Sequence, residues 1–256
     1  MKTERAGMHL NELCAQLKLF RENPYTVTEE DDTDRGLHIL FVKLNAAPRS
    51  IPILAGEYAY ALRSALDNLA WQLGLLSGRD PSRSSAFPIH SSDSVKDRER
   101  FMRAVWDIPC DAVDIIKTFQ PYLRGRSMKS DPLWQLNKLC NLDKHQTVGY
   151  SCTEMKFTFL LHEGVANPDT VIPHEDSGTT EIQMPLSHKD KVKLRLEAPG
   201  QLFGKPIDAP GAAFELSESE VAEIHRYVRD DVLPKFARFF PMGSSLWPPI
   251  LDGQPA

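Results

Sequence analysis

Apolar residues recur at spacings of three and four through Leu10, Leu13, Leu17 and Phe20, which predicts an amphipathic helix over about residues 9–22, ended by Asn23 and Pro24. The run "YTVTEEDDTDRGLHILFVKLN" then shows two extended stretches around an acidic turn with Gly36, the pattern of a hairpin. Pro48 and Pro52 precede a long helix, residues 53–76, whose aliphatic stripe is Leu62, Ala65, Leu66, Leu69 and Leu73 and which stops at Ser77 and Gly78. A polar loop leads to two more helices, "VKDRERFMRAVW" and "CDAVDIIKTFQPYL", separated by Pro109. Asp131 and Pro132 form a start signal for a helix reaching about residue 147, because Asp accepts from the free amides and proline is pre-set for the first turn.

After Tyr150 the period becomes two, and "MKFTFLLH", "TTEIQMPL" and "KVKLRLEA" read as strands. A last helix spans residues 217–240, opened by a Ser217–Glu220 capping box and kinked at Pro234. The expected fold is therefore α+β, mainly α: a helical bundle of residues 9–22, 53–76, 109–122 and 131–147 with a small antiparallel sheet and a C-terminal helix. Three segments follow: 1–150, a bundle with an inserted hairpin; 151–240, antiparallel strands plus the C-terminal helix packed on the bundle; and 241–256, an irregular Pro- and Gly-rich tail.

Composition narrows the classes. With 41% hydrophobic and 25% charged residues the chain has the make-up of a soluble globular protein, and no apolar run approaches the roughly 20 residues of a membrane span. The first twenty residues lack the apolar core and cleavage site of a secretory signal, so the expected location is the cytoplasm. Cys14, Cys110, Cys140 and Cys152 are scattered, without the pairing of a structural zinc site, and suit a reducing compartment. A net charge of −5 gives polyanions no long-range attraction, although "RERFMR" and "YLRGRSMK" can hold a phosphate locally.

The long helix carries unusual chemistry opposite its leucines. At about 100° per residue, Tyr60, Arg63, Asp67 and Trp71 fall within about 80° of one another. Arg63 and Asp67, four apart, are placed to pair, and the aromatics call for a partner surface; the plain alternative is a solvated pair flanked by rings that pack on a loop. The helix after Pro132 repeats the theme, with Trp134, Lys138, Asn141 and His145 opposite Leu133, Leu136, Leu139 and Cys140. Asp143 projects toward the aliphatic side, where a carboxylate must be paired, protonated or past the helix end, and Arg63 is the obvious candidate partner if the helices are neighbours. The alternative for His145 is a helix-terminal histidine that does nothing further.

"GEYAYALRSALDNLAWQL" followed by "DPLWQLNKLCNLDKHQ" resembles a group of bacterial and phage proteins that carry Leu-Arg-Ser-Ala-Leu-Asp-His-Leu-Ala-Trp and, later, Asp-Lys-His-Arg. The resemblance covers about residues 9–150. More distantly the arrangement resembles the HEPN ribonucleases, helical bundles in which an Arg and a His separated by four intervening residues cleave RNA without metal. Asn68 stands where the histidine would be, so His145 would have to supply the imidazole. The resemblance implies catalysis by His145, Arg63 and Asp67, ligand contacts from Asn141, Asp143, Lys144, Trp71 and Tyr60, no cofactor, RNA or another phosphate-containing ligand as partner, and a homodimer. Against it stands a monomer in which the two aromatic faces pack on each other.

Two further classes remain open. One is a non-catalytic binding or assembly module whose polar cluster is structural; the other is a metal-dependent hydrolase using Asp67, Asp143 and His145. His174, Glu175 and Asp176 form either a metal-ligating loop or a plain polar loop tip, and His90 in "FPIH" follows the long helix closely enough to line a shared pocket. The phosphate-loop, dinucleotide, nucleophile-elbow and His-Glu-x-x-His motifs are absent from the chain.

Overall fold

The computed structural model describes residues 2–82, 84–145, 148–152, 156–161, 170–174, 179–197, 200–204 and 214–240. The fold is α+β and mainly helical, with a four-stranded antiparallel sheet and a C-terminal helix. In chain order the elements are α1 (Lys2–Glu22), β1 (Tyr25–Asp32), β2 (Leu37–Leu44), α2 (Ser50–Leu76), α3 (Val95–Ala104), α4 (Cys110–Thr118), a 3-10 segment (Pro121–Ser130) and α5 (Pro132–His145). Then come β3 (Gly149–Cys152), β4 (Lys156–Leu161), β5 (Thr170–His174), β6 (Thr179–Pro185), β7 (Val192–Glu197), β8 (Gly200–Gly204), β9 (Phe214–Leu216) and α6 (Glu218–Arg226).

The chain forms two compact units, each discontinuous in sequence: Met1–Cys14 with Pro52–Gly149 and Leu202–Ala256, and Ala15–Ile51 with Tyr150–Gln201. In the second unit β1 and β2 form the expected hairpin, turned at Gly36, whose φ of 67° only glycine adopts at no steric cost. β6 pairs with β2, setting Leu40 opposite Ile182 and Val42 opposite Thr180, and β5 closes the other edge, giving the order β1-β2-β6-β5. The period of two in β6 buries Thr180, Ile182 and Met184, and the last two pack with Leu40 and Val42. β5 escapes the sequence reading because Pro173 interrupts it; the strand lies at an edge, where a missing N–H is tolerated. The other edge, β1, is exposed and acidic from Glu29 to Asp32, a charge pattern that discourages pairing with further strands.

In the first unit the leucine stripe of α2 is buried at Leu62, Leu66, Leu69 and Leu73, as are Leu133, Leu136 and Leu139 of α5. Tyr58, also buried, donates its hydroxyl to the carbonyl of Val221 at 2.7 Å and stacks on His225, tying α2 to α6. Helix α1 begins at Lys2 and not near residue 9, because Thr3 and Ala6 extend the buried face with side chains too small or polar to register as apolar periodicity. The capping box of α6 is present as expected, but its helix runs as α only to Arg226, continues as a π segment (Tyr227–Val232) and ends as a 3-10 segment (Leu233–Phe239). Pro234 near the start of that last segment has no N–H to give and crowds the preceding turn, so a plain α ladder does not cross it. The expected tail, residues 241–256, lies outside the described residues.

Asp131 caps α5: its Oδ1 accepts from the amides of Leu133 (2.9 Å) and Trp134 (3.2 Å), while Oδ2 takes the Arg124 Nε at 3.1 Å. Asp131→Ala is expected to lower stability by about 2 kcal/mol, through loss of the cap and of a charge-assisted bond, and Asp131→Asn to restore at least half. Urea unfolding measures both, and equal losses would show that the cap contributes nothing.

Candidate functional site

Arg63 and Asp67 meet on the outer side of α2, as their spacing requires. The pair is bidentate, Nη2 to Oδ1 at 2.8 Å and Nε to Oδ2 at 3.2 Å. What the spacing does not reveal is the third member. Arg63 Nη2 also donates to the carbonyl of Phe87 at 2.6 Å, and the amide of Phe87 donates to Asp67 Oδ1 at 3.1 Å. Phe87 precedes Pro88, which favours extended backbone, and its ring is fully buried against Phe236. A buried extended residue outside any sheet must find partners for both backbone groups, and the ion pair supplies them. The signal in the sequence is the apolar island "AFPI" within an otherwise polar loop.

Arg63 is 16% exposed and Asp67 38%. The remaining guanidinium nitrogen, Nη1, is buried with no partner among the described residues, so it is not presented to an incoming anion. Cys140 lies near enough to Arg63 to feel its charge, yet burial pushes its thiol up to about 12, leaving it protonated and unreactive.

Asp143 is not the partner of Arg63. It is exposed, packs its carboxylate against Gly56, where an added Cβ would stand 2.1 Å from Oδ1, and has no ion-pair partner among the described residues. Burial against the helix, and then the charge of Glu57, raise its carboxyl above the ordinary range. Asn141 and Lys144 are exposed as well. His145 is the last residue of α5, and its side chain lies outside the described residues.

Tyr60 and Trp71 correct the expectation of internal packing: they are 64% and 42% exposed. The aromatic expected beside them from α5, Trp134, instead meets Phe214 edge-on at 5.9 Å with Lys138 over its ring. His174 Nε2 faces Glu181 at 2.8 Å across the β5–β6 pair, while Glu175 and Asp176 fall outside the described residues. Among the described residues no group of three or more His, Cys, Asp or Glu is placed to hold a metal ion, and no helix is long and apolar enough to cross a membrane.

One concavity of the first unit lies at the far end of the clamped loop. A cavity of about 260 Å³ opens between residues 90–93, α3 and the start of the 3-10 segment, lined by His90, Asp97, Phe101, Met102, Lys117 and Tyr122. The loop is held there by Gln120, fully buried, whose amide donates to the carbonyl of Pro88 at 2.9 Å and accepts from the amide of His90 at 3.1 Å. Asp97 accepts from Ser92 and lies 3.7 Å from His90 Nδ1; these bonds hold its carboxyl below the usual range. Burial lowers His90, outweighing the opposite pull of Asp97. The carboxylate sits between serine and imidazole, so Ser92 is not activated as a nucleophile by His90.

Compared with protein-family models, curated proteins and solved structures, the chain matches none.

Two outcomes are expected. Arg63→Ala lowers stability by about 2 kcal/mol in urea unfolding, less than a fully buried pair because Asp67 is partly solvated, and Arg63→Lys recovers under half, since an ammonium cannot span both partners. An unchanged midpoint would show the clamp to be dispensable. His90 and His225 are both lowered in the fold chiefly by burial, so the unfolded chain binds more protons and stability falls as pH drops from about 7.5 to about 5.5. An NMR titration of the His90 ring should place its midpoint below 6.5.

Proposed function

We propose that the protein is a non-catalytic binding and assembly module on a HEPN-like helical bundle, in which the Arg63–Asp67 pair is architectural and the outer face of α2 meets a second copy of the chain. The observation that carries this is the commitment of the pair to the Phe87 backbone on both its donor and its acceptor side. A guanidinium so bound, with its last nitrogen buried, is a poor phosphate ligand, because binding an anion would first break the loop away from the helix.

The assembly half rests on what surrounds the pair. Ile53, Tyr60, Trp71 and Leu75 are exposed large side chains on α2, and at about 100° per residue they fall within about 60° of one another. Tyr60 and Trp71 stand three turns apart around the small Ser64. A two-fold antiparallel partner would set Tyr60 of each copy against Trp71 of the other, the self-complementary pattern of an isologous interface. Aromatics at a water-exposed helix face are costly to leave uncovered and are enriched where partners dock.

The second reading is metal-free binding or cleavage of RNA or another phosphate-containing ligand. It draws on the exposure of Asn141 and Lys144, and on α3, where Lys96, Arg98, Arg100 and Arg103 outnumber Asp97 and Glu99. The two readings make opposite forecasts. The assembly module scatters light as a dimer at micromolar concentration, Trp71→Glu yields folded monomers, and labelled single-stranded RNA stays intact. A monomeric wild type removes the interface. RNA cleavage that survives EDTA and is lost in His145→Ala, in a protein that still folds, replaces this reading with the ribonuclease one.

A further inference from the structure

The cavity beside His90 has a chemistry that neither reading uses. Its walls are the ring of Phe101, the thioether chain of Met102, the ring of Tyr122 and the aliphatic stems of Arg98 and Lys117. The charges at its mouth already have partners: Arg98 Nε reaches Asp93 at 3.1 Å, Lys117 Nζ reaches Asp114 at 2.8 Å, and Asp97 is bonded to Ser92 with Arg100 at 3.6 Å. An ionic ligand would have to displace one of these carboxylates or cations; an uncharged one displaces none.

His90 supplies the polar handle. Its ring stands 6.3 Å from that of Phe101, and its Nδ1 faces the Asp97 carboxylate, which favours the tautomer with the proton on Nδ1. Nε2 then carries a lone pair with no partner among the described residues. The main chain of His90 is fixed by Gln120, and Gln120 is itself bonded to the carbonyls of Pro88 and Ile116, so the acceptor is held in place before a ligand arrives. The size is informative as well. An apolar cavity of roughly 150 Å³ holds benzene, and drug-sized pockets begin at about 300 Å³. At about 260 Å³ this one suits a single ring or a fused pair.

We propose that this cavity binds a small uncharged aromatic molecule that carries one hydrogen-bond donor, of the phenol or indole class, with its ring between Phe101, Met102 and Tyr122 and its O–H or N–H given to His90 Nε2. The site is independent of the assembly proposed for α2, because none of its residues lies on that helix.

The test is an NMR titration of the full chain with indole, p-cresol, toluene and uridine monophosphate, followed through the ring signals of His90 and Tyr122. Indole and p-cresol should give saturable shifts at both rings, and toluene, which has the ring without the donor, should bind at least tenfold more weakly. His90→Phe should abolish that preference while leaving toluene binding in place. Met102→Trp, a change at an exposed position that leaves the fold intact, should fill the mouth and remove the shifts. Absence of saturable shifts for indole and p-cresol overturns the proposal. So does equal binding of toluene and p-cresol by wild type. Tighter binding of uridine monophosphate than of either would assign the site to a charged nucleotide and overturn it too.

Discussion

The main chain of Phe87 is the point on which the first unit turns. A buried residue in a loop has two backbone groups that water no longer reaches, each costing free energy comparable to a lost hydrogen bond. Helix α2 answers both with one ion pair, the guanidinium taking the carbonyl and the carboxylate taking the amide. With that residue anchored, its ring is held against Phe236, and the following Pro88 carbonyl is brought to Gln120. The whole stretch from Phe87 to His90 is thus fastened to α2 at one end and to the end of α4 at the other. A surface pair of the same spacing would contribute only a few tenths of a kcal/mol; the backbone it satisfies makes the difference.

The same arrangement explains why an arginine stands on a helix face that also bears aromatics. Packing Phe87 behind α2 requires a donor long enough to reach past the helix to a carbonyl 24 residues on, and planar enough to hold a carboxylate at the same time. The cost is visible in Nη1, which is buried without a partner among the described residues. Tyr60 and Trp71 have no such role among the described residues. They flank the clamp without touching its work, which leaves their faces for association.

Around His90 the balance of effects differs. Burial and the nearby carboxylate act in opposite directions on the imidazole, and burial is the larger. A neutral imidazole in a chiefly apolar cavity is an acceptor with a fixed direction, whereas a charged one would require a counter-ion that Asp97, already engaged by Ser92, supplies only in part. The serine and the carboxylate here are devices for orientation. They hold one ring still.

Features that depend on a few neighbouring residues were determined by the sequence alone. The stripe of α2, the Asp131 cap, the Ser217–Glu220 box, the hairpin at Gly36 and the Arg63–Asp67 pair all rest on spacings of one to four residues or on a single turn, and each is found where those spacings put it. The interrupted ladder at Pro234 was legible as a break, but its π geometry was not, since that depends on which carbonyls the surrounding chain leaves free. Everything that joins distant segments was decided by the tertiary structure: the hold on Phe87, Asp143 resting on Gly56 and not on Arg63, the pairing of β6 with a hairpin some 140 residues earlier, and the exposure of Tyr60 and Trp71. The physical reason is that periodicity tells which face of a helix is apolar or polar but carries no record of what will be brought against it; that is chosen by the packing of the whole chain, where satisfying one buried backbone residue outweighed the local preference of any side chain for water.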